Sequence, residues 1–308
     1  MVKKGNGDLK SLIVTHIDLD GSGVALMFKL ARPQADILYV NYDWEKSYAN
    51  INKLISYDEI LFGDISFSRE FAQKLNYSGK RLVLYDHHES ALKELGDLDY
   101  DWITINKSKC GTLLVYDALK SLDPKFDVDG TYKVLAKTID DYDRWILNDP
   151  KSLDLQFLWS SLGRYKFLDR FLANPSLEFT DTELELILKK KEKLDNSITK
   201  AKRSMSEIFI DREGLKFVYC TTDGQASLVA NNLLKVLGGR VDYIAISTGS
   251  NTISLRSESA EVSTIAEDLG GGGHKLAAGF TANVGLNIIE SIKNRTLIYY
   301  DYLSKFVN

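Results

Sequence analysis

The sequence predicts an α/β protein of two domains: a mostly parallel sheet in the N-terminal half, a smaller α/β domain at the C-terminus, and a long helix that joins them. Three observations support this fold class. Short apolar runs in the N-terminal half end in charged residues and lead into helical stretches. An amphipathic pattern extends over residues 184–208. Beyond it, short strands alternate with helical stretches, which is typical of a compact α/β domain.

Each of three apolar runs in the N-terminal half ends in acidic residues or histidines. The runs are residues 12–14, 61–63 and 82–85, and the side chains that follow are His16, Asp18 and Asp20; then Asp64; then Asp86, His87 and His88. Because the carboxyl ends of parallel strands meet at one crevice of an open α/β sheet, we expect these clusters to converge. Taken alone, Asp64 fits a helix N-cap as well as a ligand, and Asp18 and Asp20 fit a solvated turn. Two adjacent histidines at a strand end favour the metal site.

Carboxylates and imidazoles without a nearby thiolate suit manganese, magnesium or iron better than structural zinc. The two cysteines, Cys110 and Cys220, are too far apart in sequence for a zinc knuckle. Two divalent ions about 3.5–4 Å apart and bridged by one carboxylate can activate a water and hold both oxygens of an in-line phosphoryl displacement. The sequence therefore predicts a two-metal centre for phosphoryl chemistry, with manganese as the expected ion and magnesium as the alternative.

These motifs resemble those of the DHH phosphoesterase superfamily. Its Asp-His-His signature matches Asp86, His87 and His88, and an acidic His-x-Asp-x-Asp-Gly motif and a solitary Asp precede it in the family order. The resemblance implies that His16 and Asp18 bind one metal, that Asp20, His87 and Asp141 bind the other, and that Asp64 bridges them. It also implies that Asp86 supports an imidazole or is itself a ligand, and that His88 faces the substrate phosphate.

The fourth acidic motif of the family falls in residues 136–145. Asp141 is our choice of ligand by its position after Thr138 and Ile139, and Asp140 is the next candidate. For Asp143 we expect instead a pair with Arg144. A solvated helix face is the alternative for the whole acidic run.

A second signature lies near the C-terminus, where four glycines at 270–273 precede His274 and an Ala-Ala-Gly sequence. Glycines let backbone amides approach a phosphate closely, although a glycine run alone is more often a flexible loop. The segment resembles the substrate-binding loop of the DHH-associated C-terminal domain. That resemblance implies that Arg256, Gly272, Gly273 and His274 bind a substrate phosphate, which arginine can hold with two hydrogen bonds.

Residues 180–183, Thr-Asp-Thr-Glu, form a predicted capping box at the start of the long helix. We place the domain boundary near residue 185, which gives a metal-binding domain over 1–185 and a linker helix with a substrate-binding domain over 186–308. The helix carries a lysine-rich run at 189–193, for which a solvated face is favoured over a nucleic-acid contact. Further strands are expected at 215–220, 243–247 and 252–255, helices at 227–237 and 262–269, and a C-terminal helix at 286–306.

The length of 308 residues and the 44% hydrophobic content agree with a two-domain soluble enzyme. A net charge of −4 argues against nonspecific coating of duplex DNA. No apolar run approaches the roughly 18 residues of a membrane span, and the N-terminal residues lack the apolar region of a signal peptide. Two unpatterned cysteines fit a reducing compartment, so we expect a cytoplasmic protein.

The favoured function is hydrolysis of short single-stranded oligonucleotides to mononucleotides, because one small second domain does not provide the long channel of a processive exonuclease. The alternatives are a cyclic-dinucleotide or adenosine bisphosphate phosphoesterase, a RecJ-like exonuclease on single-stranded DNA, a noncatalytic nucleic-acid interaction protein and a nucleotide sensor. RNA or DNA specificity, the polarity of cleavage and the oligomeric state, a homodimer included, stay open.

Overall fold

The computed structural model describes residues 9–41, 44–47, 53–249 and 251–300. The chain divides into two compact units, Met1–Ile187 and Leu188–Asn308. Strands of the first unit are β1 (Ser11–His16), β2 (Asp36–Val40), β3 (Glu59–Gly63), β4 (Arg81–Asp86) and β5 (Ile103–Ile105). They form a sheet in the order β2-β1-β3-β4-β5, and every neighbouring pair is parallel.

The helices of the first unit are α1 (Leu19–Ala31), α2 (Trp44–Ser47), α3 (Arg69–Asn76), α4 (Glu89–Leu95), α5 (Gly111–Leu122), α6 (Thr131–Asp143) and α7 (Pro150–Ala173). Helix α8 (Asp181–Ser204) begins in this unit and continues into the second. Both faces of the central strands are buried, which explains why they are continuous apolar runs rather than alternating ones. Alternate residues of β1, β3 and β4 pack into an aromatic core that includes Trp44, Phe67 and Phe71.

The register of the sheet brings three strand ends to one level. Thr15 pairs with Gly63, and Gly63 pairs with Tyr85. The residues that come next along the three strands are His16, Asp64 and Asp86, so their side chains leave the sheet at the same edge. Gly63 is needed for this packing, because a Cβ there would lie 2.6 Å from a methyl group of Val24 on α1.

The second unit contains β6 (Phe209–Ile210), β7 (Lys216–Thr221), β8 (Tyr243–Ser247), β9 (Thr252–Ser257), β10 (Gly272–His274) and β11 (Ala277–Thr281), with helices α9 (Ala226–Leu237), α10 (Ser263–Asp268) and α11 (Ile288–Asn294). Its sheet has the order β10-β11-β9-β8-β7-β6. Strands β7 and β8 are parallel and the other pairs are antiparallel. One face of this sheet packs with α10 and α11 into a separate apolar core. The predicted fold class is confirmed.

Two predicted elements differ from the structure. The C-terminal helix expected over 286–306 is wrong over residues 295–300, because Arg295 takes a left-handed backbone with φ 49° and ends α11. The Arg295 side chain is buried and pairs with Asp211, which fixes that turn. Tyr299 then bridges back to Leu286, and residues 301–306 lie outside the described part of the chain. The glycine run is not simply a flexible loop, since Gly272 and Gly273 belong to edge strand β10.

The predicted capping box at the start of α8 is confirmed. The backbone N–H of Thr180 donates to Glu183 Oε2 at 2.8 Å, and the backbone N–H of Glu183 donates to Thr180 Oγ1 at 3.3 Å. Arg170 adds an ion pair at 2.8 Å to the other carboxylate oxygen of Glu183. Among the described residues, no helix has both the length and the apolar character that a membrane span requires.

We expect Thr180→Ala to destabilise the first unit by about 1 kcal/mol, because it removes the side chain that accepts from the first turn of α8. A fall in the midpoint of urea unfolding, followed by circular dichroism, measures the loss. Thr182→Ala is the matched control, since Thr182 is exposed in the same turn. Equal midpoints for the two variants would show that the capping box does not stabilise the unit.

Candidate metal centre

Acidic residues and histidines at the carboxyl edge of the first sheet form three overlapping groups. Within each group, the possible ligand atoms all lie within 4.8 Å of one another. The groups are His16, Asp18 and Asp64; Asp20, His87 and Asp143; and Asp64, Asp86, His87 and His88. Seven residues predicted from sequence thus come together, and Asp143 joins them in place of Asp141. Asp64 and His87 each belong to two groups, so the groups form one continuous cluster.

Asp18 combines a helix-capping contact with a place in the cluster. It is the N-cap of α1 and accepts from the backbone N–H of Gly21 at 2.9 Å. Its other oxygen lies 2.7 Å from Nδ1 of His16. The cap therefore fixes the carboxylate in the orientation that reaches the cluster.

Asp20 is held by the first residues of α5, a contact that the sequence alone did not predict. Its two carboxylate oxygens accept from the backbone N–H groups of Gly111 and Thr112 at 2.7 and 2.8 Å. Helix N-termini carry unpaired N–H groups and partial positive charge, so they stabilise a buried carboxylate. Gly111 has no room for a side chain, because a Cβ would lie 2.9 Å from Cβ of Asp64. A glycine that opens a helix is common in sequence, so this role becomes visible only once the strand ends are placed.

Asp64 lies at the centre of the cluster. Its backbone φ is 54°, in the left-handed region that residues other than glycine rarely adopt. Its backbone N–H donates to the carbonyl of Tyr85 at 3.0 Å, which holds it in this conformation. The capping role considered for Asp64 belongs instead to Ser68, the N-cap of α3. Asp64 is only 2% exposed, and its Oδ1 lies 3.4 Å from Nε2 of His87.

Asp86 orients both histidines that follow it. Its Oδ1 accepts from the backbone N–H of His87 at 2.8 Å and lies 2.8 Å from Nδ1 of His88. This contact leaves Nε2 of the His88 ring directed away from Asp86. Nε2 of His87 lies 3.5 Å from Oδ2 of Asp143 and 3.8 Å from Oδ2 of Asp20.

The structure places Asp143, and not Asp141, in the fourth acidic position. The Asp141 carboxylate accepts from the backbone N–H groups of Asn148 and Asp149 at 3.0 and 3.1 Å, so it is turned toward the loop after α6. Asp140 accepts from the backbone of Cys110 at 2.6 Å and pairs at 3.8 Å with Arg144, the partner considered for Asp143.

The spacing of residues along α6 distinguishes Asp143 from Asp141. Leu135 and Ile139 are fully buried on α6, and Asp143 follows at the same four-residue interval. The three residues therefore lie along one face of the helix. Asp141 lies two residues after Ile139 and belongs to another face.

Burial and mutual repulsion control the electrostatics of the cluster. Burial, together with repulsion from Asp18 and Asp20, raises the pKa values of Asp64 and Asp143 well above their usual range. Burial lowers the pKa of His87. For His88, the hydrogen bond and charge of Asp86 outweigh burial and raise the pKa.

The ligand set fits a divalent cation. Four buried atoms of the cluster residues have no hydrogen-bond partner among the described residues: Oδ2 of Asp64, Oδ2 of Asp86, Nε2 of His87 and Oδ2 of Asp143. Buried polar atoms are normally paired, and buried carboxylates this close together are unfavourable unless a positive charge lies between them. Oxygen and imidazole donors are those that manganese and related ions accept.

The residues predicted to bind substrate lie in the second unit. His274 pairs with Ala277 across β10 and β11, and Ala277 pairs with Arg256 across β11 and β9. Arg256 and His274 are therefore on one face of the sheet and roughly 10 Å apart, at about 4.8 Å per strand. Arg256 donates to Ser227 Oγ at 3.2 Å, and His274 is exposed.

Two glycines of the 270–273 run also have a packing role. At Gly273, a Cβ would lie 2.5 Å from Cα of Ala278, and φ is 146°. Gly271 lies equally close to β11, because a Cβ there would meet the carbonyl oxygen of Gly279 at 2.1 Å. Close strand packing therefore accounts for these two glycines without a ligand.

No protein-family model matches the chain. The chain is 27% identical over 294 residues to oligoribonuclease NrnB of Bacillus subtilis (strain 168), a match that covers 87% of this chain and 71% of that protein. Its fold is similar to that of the pGpG-specific phosphodiesterase PggH from Vibrio cholerae, with a TM-score of 0.58, 13% identity and coverage of 89% and 94% of the two chains. It is also similar to RecJ in complex with Mn²⁺ from Thermus thermophilus, with a TM-score of 0.52, 14% identity and coverage of 93% and 51%.

The structural likenesses concern the fold, and the sequence relative extends the similarity over most of the chain. The Asp86-His87-His88 signature and the acidic motifs before it meet at one edge of the parallel sheet, as the resemblance implied. The comparisons therefore support the resemblance to the DHH superfamily of phosphoesterases.

Proposed function

We propose that this protein is a divalent-metal-dependent phosphodiesterase that hydrolyses short oligonucleotides to mononucleotides. The observation that carries the proposal is the buried cluster at the carboxyl edge of the first sheet, where carboxylates and imidazoles converge with unpaired buried atoms. The similarity to an oligoribonuclease and to a pGpG-specific phosphodiesterase supports a short nucleotide substrate.

Two ions are proposed, with Asp64 as the residue they share. His16 and Asp18 would hold one ion; Asp20, His87 and Asp143 would hold the other. When bound, such ions lower the pKa of a water molecule and offset negative charge on a phosphoryl group. Manganese is favoured over magnesium, because each proposed set includes an imidazole and magnesium prefers oxygen ligands.

The other residues position groups around the reaction. Asp86 holds His88 through Nδ1, so Nε2 of His88 is available to donate to a phosphate oxygen of the substrate. The N–H groups of Gly111 and Thr112 fix Asp20, and the constrained backbone fixes Asp64. Ligands held in this way do not need to reorganise when a substrate arrives.

Substrate anchoring is proposed for the second unit. Arg256 offers a guanidinium and His274 offers a ring nitrogen on the same face of the sheet. Both can bind a phosphate or carboxylate through charge-assisted hydrogen bonds. We also propose that the protein acts in the cytoplasm, with support from Cys110 and Cys220, which are buried free thiols.

We expect Asp64→Asn to lower manganese content and to reduce hydrolysis of oligonucleotides by about a hundredfold or more, since removal even of residues that support ligands costs 10–100-fold. Manganese per chain and product release from di- to decanucleotides, cyclic dinucleotides and adenosine bisphosphate are the measurements. Asp97→Asn is the matched control, because Asp97 is 70% exposed on the surface. Full activity of the Asp64 variant, or no product from any substrate with the wild type, would contradict the proposal.

Asp143→Asn should lower manganese content, whereas Asp141→Asn should retain it, because Asp143 faces His87 and Asp141 faces the loop after α6. Elemental analysis after manganese loading compares two variants that make the same chemical change two residues apart. The assignment is wrong if Asp141→Asn loses manganese and Asp143→Asn keeps it.

Arg256→Ala and His274→Ala should each raise KM for an oligonucleotide, or lower kcat/KM, by roughly ten- to a hundredfold, because a charge-assisted contact contributes about 1.5–3 kcal/mol. Manganese content should not change, and a small chromogenic phosphodiester should be cleaved at nearly the wild-type rate. Arg240→Ala, which removes an exposed arginine of the same unit, is the control. An equal loss on the oligonucleotide and on the small ester would disprove the anchoring role.

A further inference from the structure

The loop that follows Asp143 presents an exposed tryptophan on an unusual backbone. Trp145 is 40% exposed, and its neighbour Ile146 is 39% exposed. Trp145 has φ 59° and Leu147 has φ 54°, in the left-handed region that large side chains rarely adopt. Two such residues within three positions are unfavourable unless the surrounding structure imposes them.

Asp141 imposes this conformation. Its carbonyl accepts from the backbone N–H groups of Ile146 and Leu147 at 2.9 and 3.1 Å. Its carboxylate accepts from those of Asn148 and Asp149 at 3.0 and 3.1 Å. Four consecutive N–H groups are thus bound by one residue, which fixes the whole turn with the indole on the outside.

Trp145 follows Asp143, a member of the cluster, by two residues in the chain. Their Cα atoms are therefore at most about 7 Å apart. The indole meets the Tyr142 ring edge-on, with centroids 5.9 Å apart. Asp143 in turn reaches the cluster, with Oδ2 3.5 Å from Nε2 of His87.

A nucleobase is the ligand group that the positions of Trp145 and Asp143 favour. A base is joined to its phosphate by a single sugar, so a phosphate at the cluster places a base within reach of a residue at its rim. Every base has a face that can stack on an aromatic ring. Stacking also suits a large ring that the loop keeps exposed and in one place.

We propose that Trp145 is a stacking platform for the base of the nucleotide whose phosphate is cleaved, and that Asp141 is the positioning residue that holds this platform. The inference rests on the proposed phosphodiesterase function. It adds a specificity-determining contact in the first unit, independent of Arg256 and His274 in the second.

The test compares Trp145→Ala with Trp145→Phe on a dinucleotide and on two analogues, each lacking one of its bases. Trp145→Ala should lower kcat/KM on the dinucleotide about ten- to a hundredfold, a range consistent with the loss of one stacked base. The loss should disappear on the analogue that lacks the stacked base and persist on the other. Trp145→Phe should retain most of the activity. Asp141→Asn should show the same dependence on that base.

Manganese content should be the same in the wild type and in all three variants. The control is Tyr77→Ala, which removes an aromatic ring that is 86% exposed elsewhere in the first unit. If Trp145→Ala lowers kcat/KM equally on all three substrates, or on none of them, Trp145 is not a stacking platform. Quenching of tryptophan fluorescence by a phosphorothioate dinucleotide gives a readout without turnover. Quenching lost in Trp145→Phe supports the platform even if no substrate is hydrolysed, whereas quenching that persists overturns it.

Discussion

Repulsion among buried carboxylates is the constraint on which the organisation of the first unit depends. Asp64 and Asp143 have raised pKa values because burial and neighbouring aspartates both disfavour their charged forms. A protein gains no stability from such an arrangement by itself. Divalent cations at this position would remove the repulsion and make use of the four unpaired atoms of the cluster residues. The proposed divalent cations would therefore account for the cluster.

The scaffold around the cluster keeps these side chains in place. The strand register sets His16, Asp64 and Asp86 at one level, and the first turn of α5 holds Asp20. Gly111 permits the close approach of that turn. The loop after α6 is fixed by Asp141, two residues before Asp143. Residues that bind no metal in this account thus determine where the ligands are, which is typical of metal centres with supporting hydrogen bonds.

The sequence was sufficient to predict the parallel sheet, the convergence of three strand ends and the capping box of α8, because each has a local pattern with one physical meaning. It was insufficient where the outcome depends on partners remote in sequence. Asp141 and Asp143 lie in the same acidic run; helical spacing favours Asp143, and the contacts of Asp141 with the following loop decide between them. Gly273 reads as part of a flexible loop until its fit against Ala278 is known. Arg295 ends α11 because Asp211, far away in sequence, binds it.

We propose that two cations share Asp64 at the carboxyl edge of the first sheet. Anomalous diffraction from crystals of the protein grown with manganese tests it most directly. We expect two anomalous peaks about 3.5–4 Å apart, one beside His16 and Asp18 and the other beside Asp20, His87 and Asp143, with Asp64 in contact with both. A single peak, or peaks that contact Asp141 in place of Asp143, would contradict it.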